Sequence, residues 1–181
     1  MNIPAEFDDI RPYSPEELPQ VFEELLADPS FQAVLTNVIP GIPIEMLAAQ
    51  LHQCKTNLDV QKTFFYSLLH GIIDKHSDGF DMDTSSLDDK NRNYTFISNH
   101  RDIVLDPGFL SVGLIDNNFP TTVEIAIGDN LLIYPWIKKL VRVNKSFIVQ
   151  RALSMRQMLE SSARMSRYIH FAVTEKKENV W

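Results

Sequence analysis

The hydrophobic period of this chain changes once, and the change falls across a polar stretch at residues 77–93. Before that stretch, apolar residues recur at three- and four-residue steps. The clearest run is Val60, Phe64, Phe65, Leu68, Leu69, Ile72 and Ile73, one stripe of an amphipathic helix facing a core. After it, short runs rich in Val, Ile, Thr and Phe alternate with helical stretches, the pattern of strands joined by helices. This switch excludes an all-helical or all-strand chain. It predicts an α/β fold, a mixed sheet covered by helices, preceded by an all-helical amino-terminal segment.

The expected organisation is a helical segment over residues 1–76, a polar connector over 77–93 and an α/β unit over 94–181. Helices are expected at 16–28, 31–38, 44–53 and 59–75, then at 109–115 and 152–168; strands are expected at 94–98, 121–127, 146–149 and 169–173. His70 lies beside the apolar stripe and reads as structural. The acidic connector invites comparison with a calcium loop. Its spacing is wrong, because Gly79 at loop position six puts His76 third and Ser85 last, where a bidentate Glu is required. A solvated connector is the expectation.

The net charge of −7 leaves no broad cationic field to condense onto phosphodiesters, which argues against a nucleic-acid partner. Cys54 is the single cysteine, so no intrachain disulfide forms; it reads as packing in a reducing, cytoplasmic setting. Residues 1–11 carry Glu6, Asp8 and Asp9 and lack the cationic and apolar regions of a signal peptide. No window reaches the ~18 consecutive apolar residues that span a bilayer, so membrane contact should be peripheral. One element could supply it: residues 136–142 combine Trp136 with Lys138, Lys139 and Arg142, suited to resting on lipid. A core-facing helix with solvated lysines explains the same residues.

Chemistry concentrates where an apolar strand, Phe96-Ile97-Ser98, runs into Asn99-His100-Arg101-Asp102 and then, after three apolar residues, into Asp106-Pro107. Pro107 favours the first turn of a new helix. A His at a strand end with a carboxylate a few residues on can form a base and its orienter, the carboxylate holding the tautomer and stabilising the imidazolium. Such a pair suits removal of a proton from an attacking hydroxyl. The same residues also fit a plainer arrangement, with Asp106 capping the helix and His100 an ordinary loop residue.

Asn99-His100-Arg101 followed by Asp106-Pro107 resembles motif I of the glycerolipid acyltransferase family, which has Asn-His, four residues, then Asp, often before Pro. Five residues separate His100 from Asp106 here. Asp106 is the favoured orienter because it keeps its place before Pro107; Asp102 is expected to face solvent or pair with Arg101. Downstream, Gly128-Asp129-Asn130-Leu131, Pro135-Trp136 and residues 143–151, ending in Gln150-Arg151, resemble the motif II region. No Glu-Gly pair of the third motif occurs. The chain is therefore expected to be a fragment that stops as it enters the strand before that motif.

The resemblance covers residues 94–181. It implies transfer of a fatty acyl group from a thioester on CoA or acyl carrier protein to a hydroxyl of a glycerol-phosphate or lysophospholipid acceptor. His100 is then the general base and Asp106 its orienter. Arg151 binds the acceptor phosphate, with Asn99, Arg101 and Lys145 also on the substrate side, and no metal or redox cofactor is implied. The rival expectation is a noncatalytic lipid-binding domain that keeps the acyltransferase fold without turnover.

Overall fold

The computed structural model describes residues 3–39, 41–151 and 154–181. Its first third is helical, as the periodicity requires. After a short turn at Ala5–Phe7 come α1 (Leu18–Leu26), α2 (Pro29–Val38), α3 (Ile44–Gln53), α4 (Asn57–Val60) and α5 (Tyr66–His76). Local chemistry sets the starts. Asp28 accepts from the Ser30 and Phe31 amides with Pro29 beside it at the head of α2, and Thr56 and Asp59 form a reciprocal capping box at α4.

The long apolar stripe does not form one straight helix. A π turn at Gln61–Phe65 separates α4 from α5. The wider turn rotates the stripe, so that Val60, Phe64 and Phe65 join the core of α1 while Leu69 and Ile73 pack with Val112 of α6 (Leu105–Asp116). Gln61 is turned inward by the same bulge. Buried there, it donates to the Asn144 carbonyl and accepts from the Thr122 hydroxyl.

The second half is α/β. β1 (Val123–Gly128) is flanked by β2 (Ser146–Val149) and β3 (Asn179–Val180), with α7 (Pro135–Val143) and α8 (Met155–Thr174) as the connecting helices. Register runs from Ile125↔Ser146 to Gly128↔Val149 on one side and Val123↔Asn179 to Glu124↔Val180 on the other. All these pairings are parallel, which corrects the expectation of a mixed sheet. The predicted strand at 94–98 contracts to a parallel bridge, Thr95 with Val180, fastened by the Phe96 amide donating to the Val180 carbonyl. The predicted strand at 169–173 is helical instead. Ser154 and Gln157 cap α8, nothing interrupts the chain after them, and Met165, Tyr168, Ile169, Ala172 and Val173 continue at helical spacing onto the sheet core. Residues 152 and 153, where that helix was expected to begin, lie outside the described residues.

The connector is not simply solvated: Phe80 packs on Phe109 at 5.5 Å between ring centroids, Met82 lies so close to Gly113 that a Cβ there would sit 2.7 Å from its sulfur, and Leu87 joins the same core. Of the two readings of residues 136–142, the packing supports the core-facing helix. Trp136 and Leu140 pack against the helical core, Lys139 pairs with Glu24, and Arg142 is buried.

Arg142 ties the amino-terminal residues to the α/β unit. Its Nε donates to the Arg11 carbonyl at 2.7 Å, its Nη2 to the Asp8 carbonyl at 2.8 Å, and its guanidinium lies 4.0 Å from the Tyr13 ring centre. Hydrogen bonds from a charged donor each contribute about 1.5–3 kcal/mol, and removing them strands buried carbonyls. Arg142→Ala should therefore lower stability by about 2–4 kcal/mol in urea unfolding and speed amide exchange at Phe7, Ile10 and Arg11. A loss under about 0.5 kcal/mol, the level of an ordinary surface change, would show that this residue holds nothing.

Candidate active site

Because every described strand pairing is parallel, the segments leaving the carboxyl ends of the strands lie along one edge. That edge is where open α/β sheets carry their ligands. Residues 97–102 follow the Thr95 bridge, Asp129 follows β1, residues 150–151 follow β2 and Trp181 follows β3.

His100 Nδ1 lies 3.5 Å from Asp106 Oδ2, with the imidazole about half exposed and the carboxylate a quarter exposed. The separation is that of a charge contact; a full N–H···O hydrogen bond is a few tenths of an ångström shorter. His100 also packs at 5.4 Å on the Trp181 ring, whose Nε1 donates to Ser98 Oγ at 2.9 Å. Sequence reasoning named the histidine and carboxylate but not this tryptophan, which reaches the site through sheet pairing.

The two carboxylates of the turn divide the work differently from expectation. Helix α6 begins at Leu105, one residue before Asp106, so Asp106 is not its cap. Val104 holds that place, and Asp102, just before it, steadies the start of the helix: its Oδ1 accepts from the Val104 and Leu105 amides, both at 2.8 Å. It is solvent-exposed, as expected, and makes no ion pair with Arg101 among the described residues. Asp106 Oδ2 accepts from the Arg101 amide at 2.6 Å and the Asp102 amide at 3.0 Å while facing His100. These backbone donors are the main reason both carboxyls titrate below the usual aspartate range, with the His100 charge a smaller cause.

Beside the pair runs an apolar groove of about 380 Å³. Asn99 and Asp106 line it together with Phe80, Met82, Phe109 and Leu110. The Asn99 and Arg101 side chains are exposed and make no hydrogen bond or ion pair among the described residues. Arg151 is exposed as well. Its amide donates to Asp129 Oδ1 at 3.0 Å, and its side chain lies over Gly128, where a Cβ would come within 2.8 Å of Nε. Glycine there lets the arginine cross the end of β1. Three inter-strand steps, about 14 Å, separate the β2 end that carries Arg151 from the segment that carries His100.

Lys145 does not belong to this edge. It precedes β2, at the opposite end of the sheet, where it is buried and donates to Thr121 Oγ1 at 2.8 Å, Thr122 Oγ1 at 3.3 Å and Glu178 Oε2 at 2.7 Å. Those contacts occupy all three ammonium protons, leaving none for a substrate. A cavity of about 330 Å³ opens at that end, but the Lys145–Glu178 and Lys176–Glu124 pairs lining it satisfy one another.

Two other histidines contact carboxylates. His70 Nε2 lies 3.4 Å from Asp116 Oδ2, and His52 Nε2 lies 3.2 Å from Glu23 Oε1. Both are helix-to-helix contacts remote from the strand ends, which separates them from His100. Among the described residues no cluster of His, Cys, Asp and Glu could hold a metal ion, and no helix is long and apolar enough to cross a membrane. No family model matches the chain, and no curated protein or solved structure is significantly similar to it.

Depressed aspartate pKa values make the site acid-sensitive. A carboxyl whose folded value lies below its unfolded one contributes stability that is present above the unfolded value, about 3.9, and lost as pH falls through the folded one. Amide exchange at Arg101, Asp102, Val104 and Leu105, corrected for its intrinsic pH dependence, should accelerate as pH drops below about 4. In Asp102→Ala the Val104 and Leu105 amides should already be unprotected at neutral pH. Unchanged protection there would mean that water or another group caps α6.

Proposed function

We propose that this chain carries the catalytic pair of a glycerolipid-type O-acyltransferase. The observation that supports it best is the contact between His100 and Asp106 at the carboxyl edge of a parallel sheet, beside an apolar groove. In this reading a fatty acyl thioester, on CoA or acyl carrier protein, lays its chain in the groove. The acceptor is a hydroxyl of a glycerol phosphate or lysophospholipid.

His100 takes the hydroxyl proton on Nε2 as the oxygen attacks the thioester carbonyl. The carbon–sulfur bond then breaks, and the imidazolium returns the proton to the departing thiolate. Asp106 opposes the transient positive charge through Nδ1. A thioester is already activated, so the scheme needs no covalent enzyme intermediate. The exposed Arg151 guanidinium is the phosphate ligand, its planar fork suited to bidentate contact with an oxyanion. Arg101 and Asn99, on either side of the base, remain available to the substrate.

Acyl transfer from radiolabelled acyl-CoA to a panel of glycerol-phosphate and lyso-acceptors tests the reading. His100→Ala and Asp106→Asn should each lower kcat by roughly 10² or more, as loss of a general base or its orienter does. They should be strongly non-additive when combined, because the pair acts as one unit. Lipid binding without transfer under any donor and acceptor would leave the noncatalytic domain as the better reading.

Arg151→Ala should raise KM for a phosphate-bearing acceptor at least ~10-fold with little change for the acyl donor. An equal effect on both substrates would remove Arg151 from the acceptor site.

A further inference from the structure

The imidazole of His100 stands in a stretch without regular secondary structure, about half exposed, and makes no hydrogen bond among the described residues. A side chain so placed samples several rotamers unless its surroundings select one. The Asp106 contact, at 3.5 Å, attracts the ring without setting its plane, since a charge contact lacks the directional preference of a hydrogen bond. The other contact is the Trp181 ring. Its centroid lies 5.4 Å away and its plane is inclined by 60°, within the range of favourable tilted aromatic pairs.

Trp181 is held more firmly than the histidine it touches. Its amide donates to the Glu124 carbonyl and its carbonyl accepts from the Ala126 amide, both at 2.9 Å, which fastens its backbone to the central strand β1. The ring packs, partly buried, on the cluster of Leu114, Phe119, Val123 and Ile125. Its one polar atom, Nε1, donates to Ser98 Oγ at 2.9 Å, and that hydroxyl donates in turn to the Asn99 carbonyl at 3.2 Å. The Asn99 carbonyl belongs to the peptide group that leads into His100. The tryptophan therefore bears on the histidine twice. Its ring lies against the imidazole, and its N–H, through one hydroxyl, steadies the peptide plane from which that side chain springs.

We propose that Trp181 is a positioning residue for His100, holding the ring so that Nδ1 faces Asp106 and Nε2 is left to the substrate. The inference rests on the acyltransferase reading for what the placed base does. The placement itself does not depend on it. In that reading the resting imidazole carries its proton on Nδ1, and the Nε2 lone pair takes the proton of the acceptor hydroxyl. A free histidine favours the opposite tautomer, so the folded turn has to impose the useful one.

Long-range proton–nitrogen NMR spectra of the whole chain at about pH 8, where an ordinary imidazole is neutral, read that tautomer without any turnover. The His100 signals are those missing from His100→Gln. The wild type should hold mainly the Nδ1–H form, and Trp181→Leu should pass mainly to Nε2–H. Ser98→Ala and Trp181→Phe both keep an aromatic ring against the imidazole and break the link through Nε1, and should give smaller shifts in the same direction. In the transfer assay Trp181→Leu should lower kcat roughly 10-fold with the acyl-donor KM changed by less than ~3-fold, as a misplaced base does. Added to His100→Ala, it should lower kcat no further.

The wild-type tautomer retained in Trp181→Leu, or in Ser98→Ala should the leucine variant not fold, overturns the proposal even where acyl transfer is found. A raised donor KM with unchanged kcat overturns it as well, because Trp181 also lines the groove and would then be a wall and nothing more. The tautomer shift without transfer from any donor leaves the placement standing and removes the acyltransferase reading.

Discussion

Glu124 is a carboxylate on the central strand of the sheet, 1% exposed, and its burial organises much of what surrounds it. An ion in that position is tolerated only if both oxygens are occupied. One accepts the Tyr168 hydroxyl at 2.5 Å and the other the Lys176 ammonium. Burial and the adjoining carboxylate push the Tyr168 phenol well above its usual range, so it stays a donor. The requirement thus fixes α8, through Tyr168, and the turn before β3, through Lys176. Lys145 and Glu178 make a second pair at the same end, and Lys145 adopts φ of 59° to reach it. Losing one member of such a pair costs about 3–5 kcal/mol, far above the worth of a surface ion pair. The polar groups that lock the sheet stand at one end, and the exposed, unpaired ones stand at the other.

What could be read from the chain depended on how local the cause was. The helices of the first third were legible because a stripe of apolar residues and a capping residue are both written within a turn or two. The π turn at Gln61–Phe65 was not, since it answers to a distant demand: the Gln61 amide is needed at Thr122 and Asn144. Residues 169–173 look like a strand in isolation, rich in aromatic and β-branched residues. They are helical because the cap at Ser154 starts a helix that nothing stops and the sheet core accepts its face. Phe80 and Met82 were hidden among acidic neighbours, and only the space left by Gly113 and the ring of Phe109 shows where they go.

The candidate site divides along the same line. His100 and Asp106 are six positions apart, and a strand-to-helix turn brings such residues together through local geometry. The assignment of the cap was missed because Asp-Pro looked like a helix start, whereas α6 begins at Leu105, before Asp106, with Asp102 accepting from its first amides. Lys145 was misjudged for the opposite reason. Its sequence neighbourhood says surface turn, and its burial follows from Glu178 and two threonines brought in by sheet pairing. Trp181 and the groove walls come from segments far apart in the chain, beyond the reach of any spacing argument.

The hydrogen bonds to Asp106 have a consequence for the imidazole beside it. If His100 acts as the proposed base, a carboxylate free to turn would have to rotate and draw in water each time a positive charge appeared on the imidazole, and that reorganisation would be added to every barrier. Here two amides, from Arg101 and Asp102, hold Oδ2 in place before any proton moves, and the Asp102 side chain ties the same turn to the head of α6 by accepting from the Val104 and Leu105 amides. The field at His100 is therefore a permanent property of the folded turn, of the kind that stabilises developing charge without rearrangement. The first turn of α6 becomes part of the electrostatic apparatus, and fraying of that turn would scatter the field before it disturbed the fold.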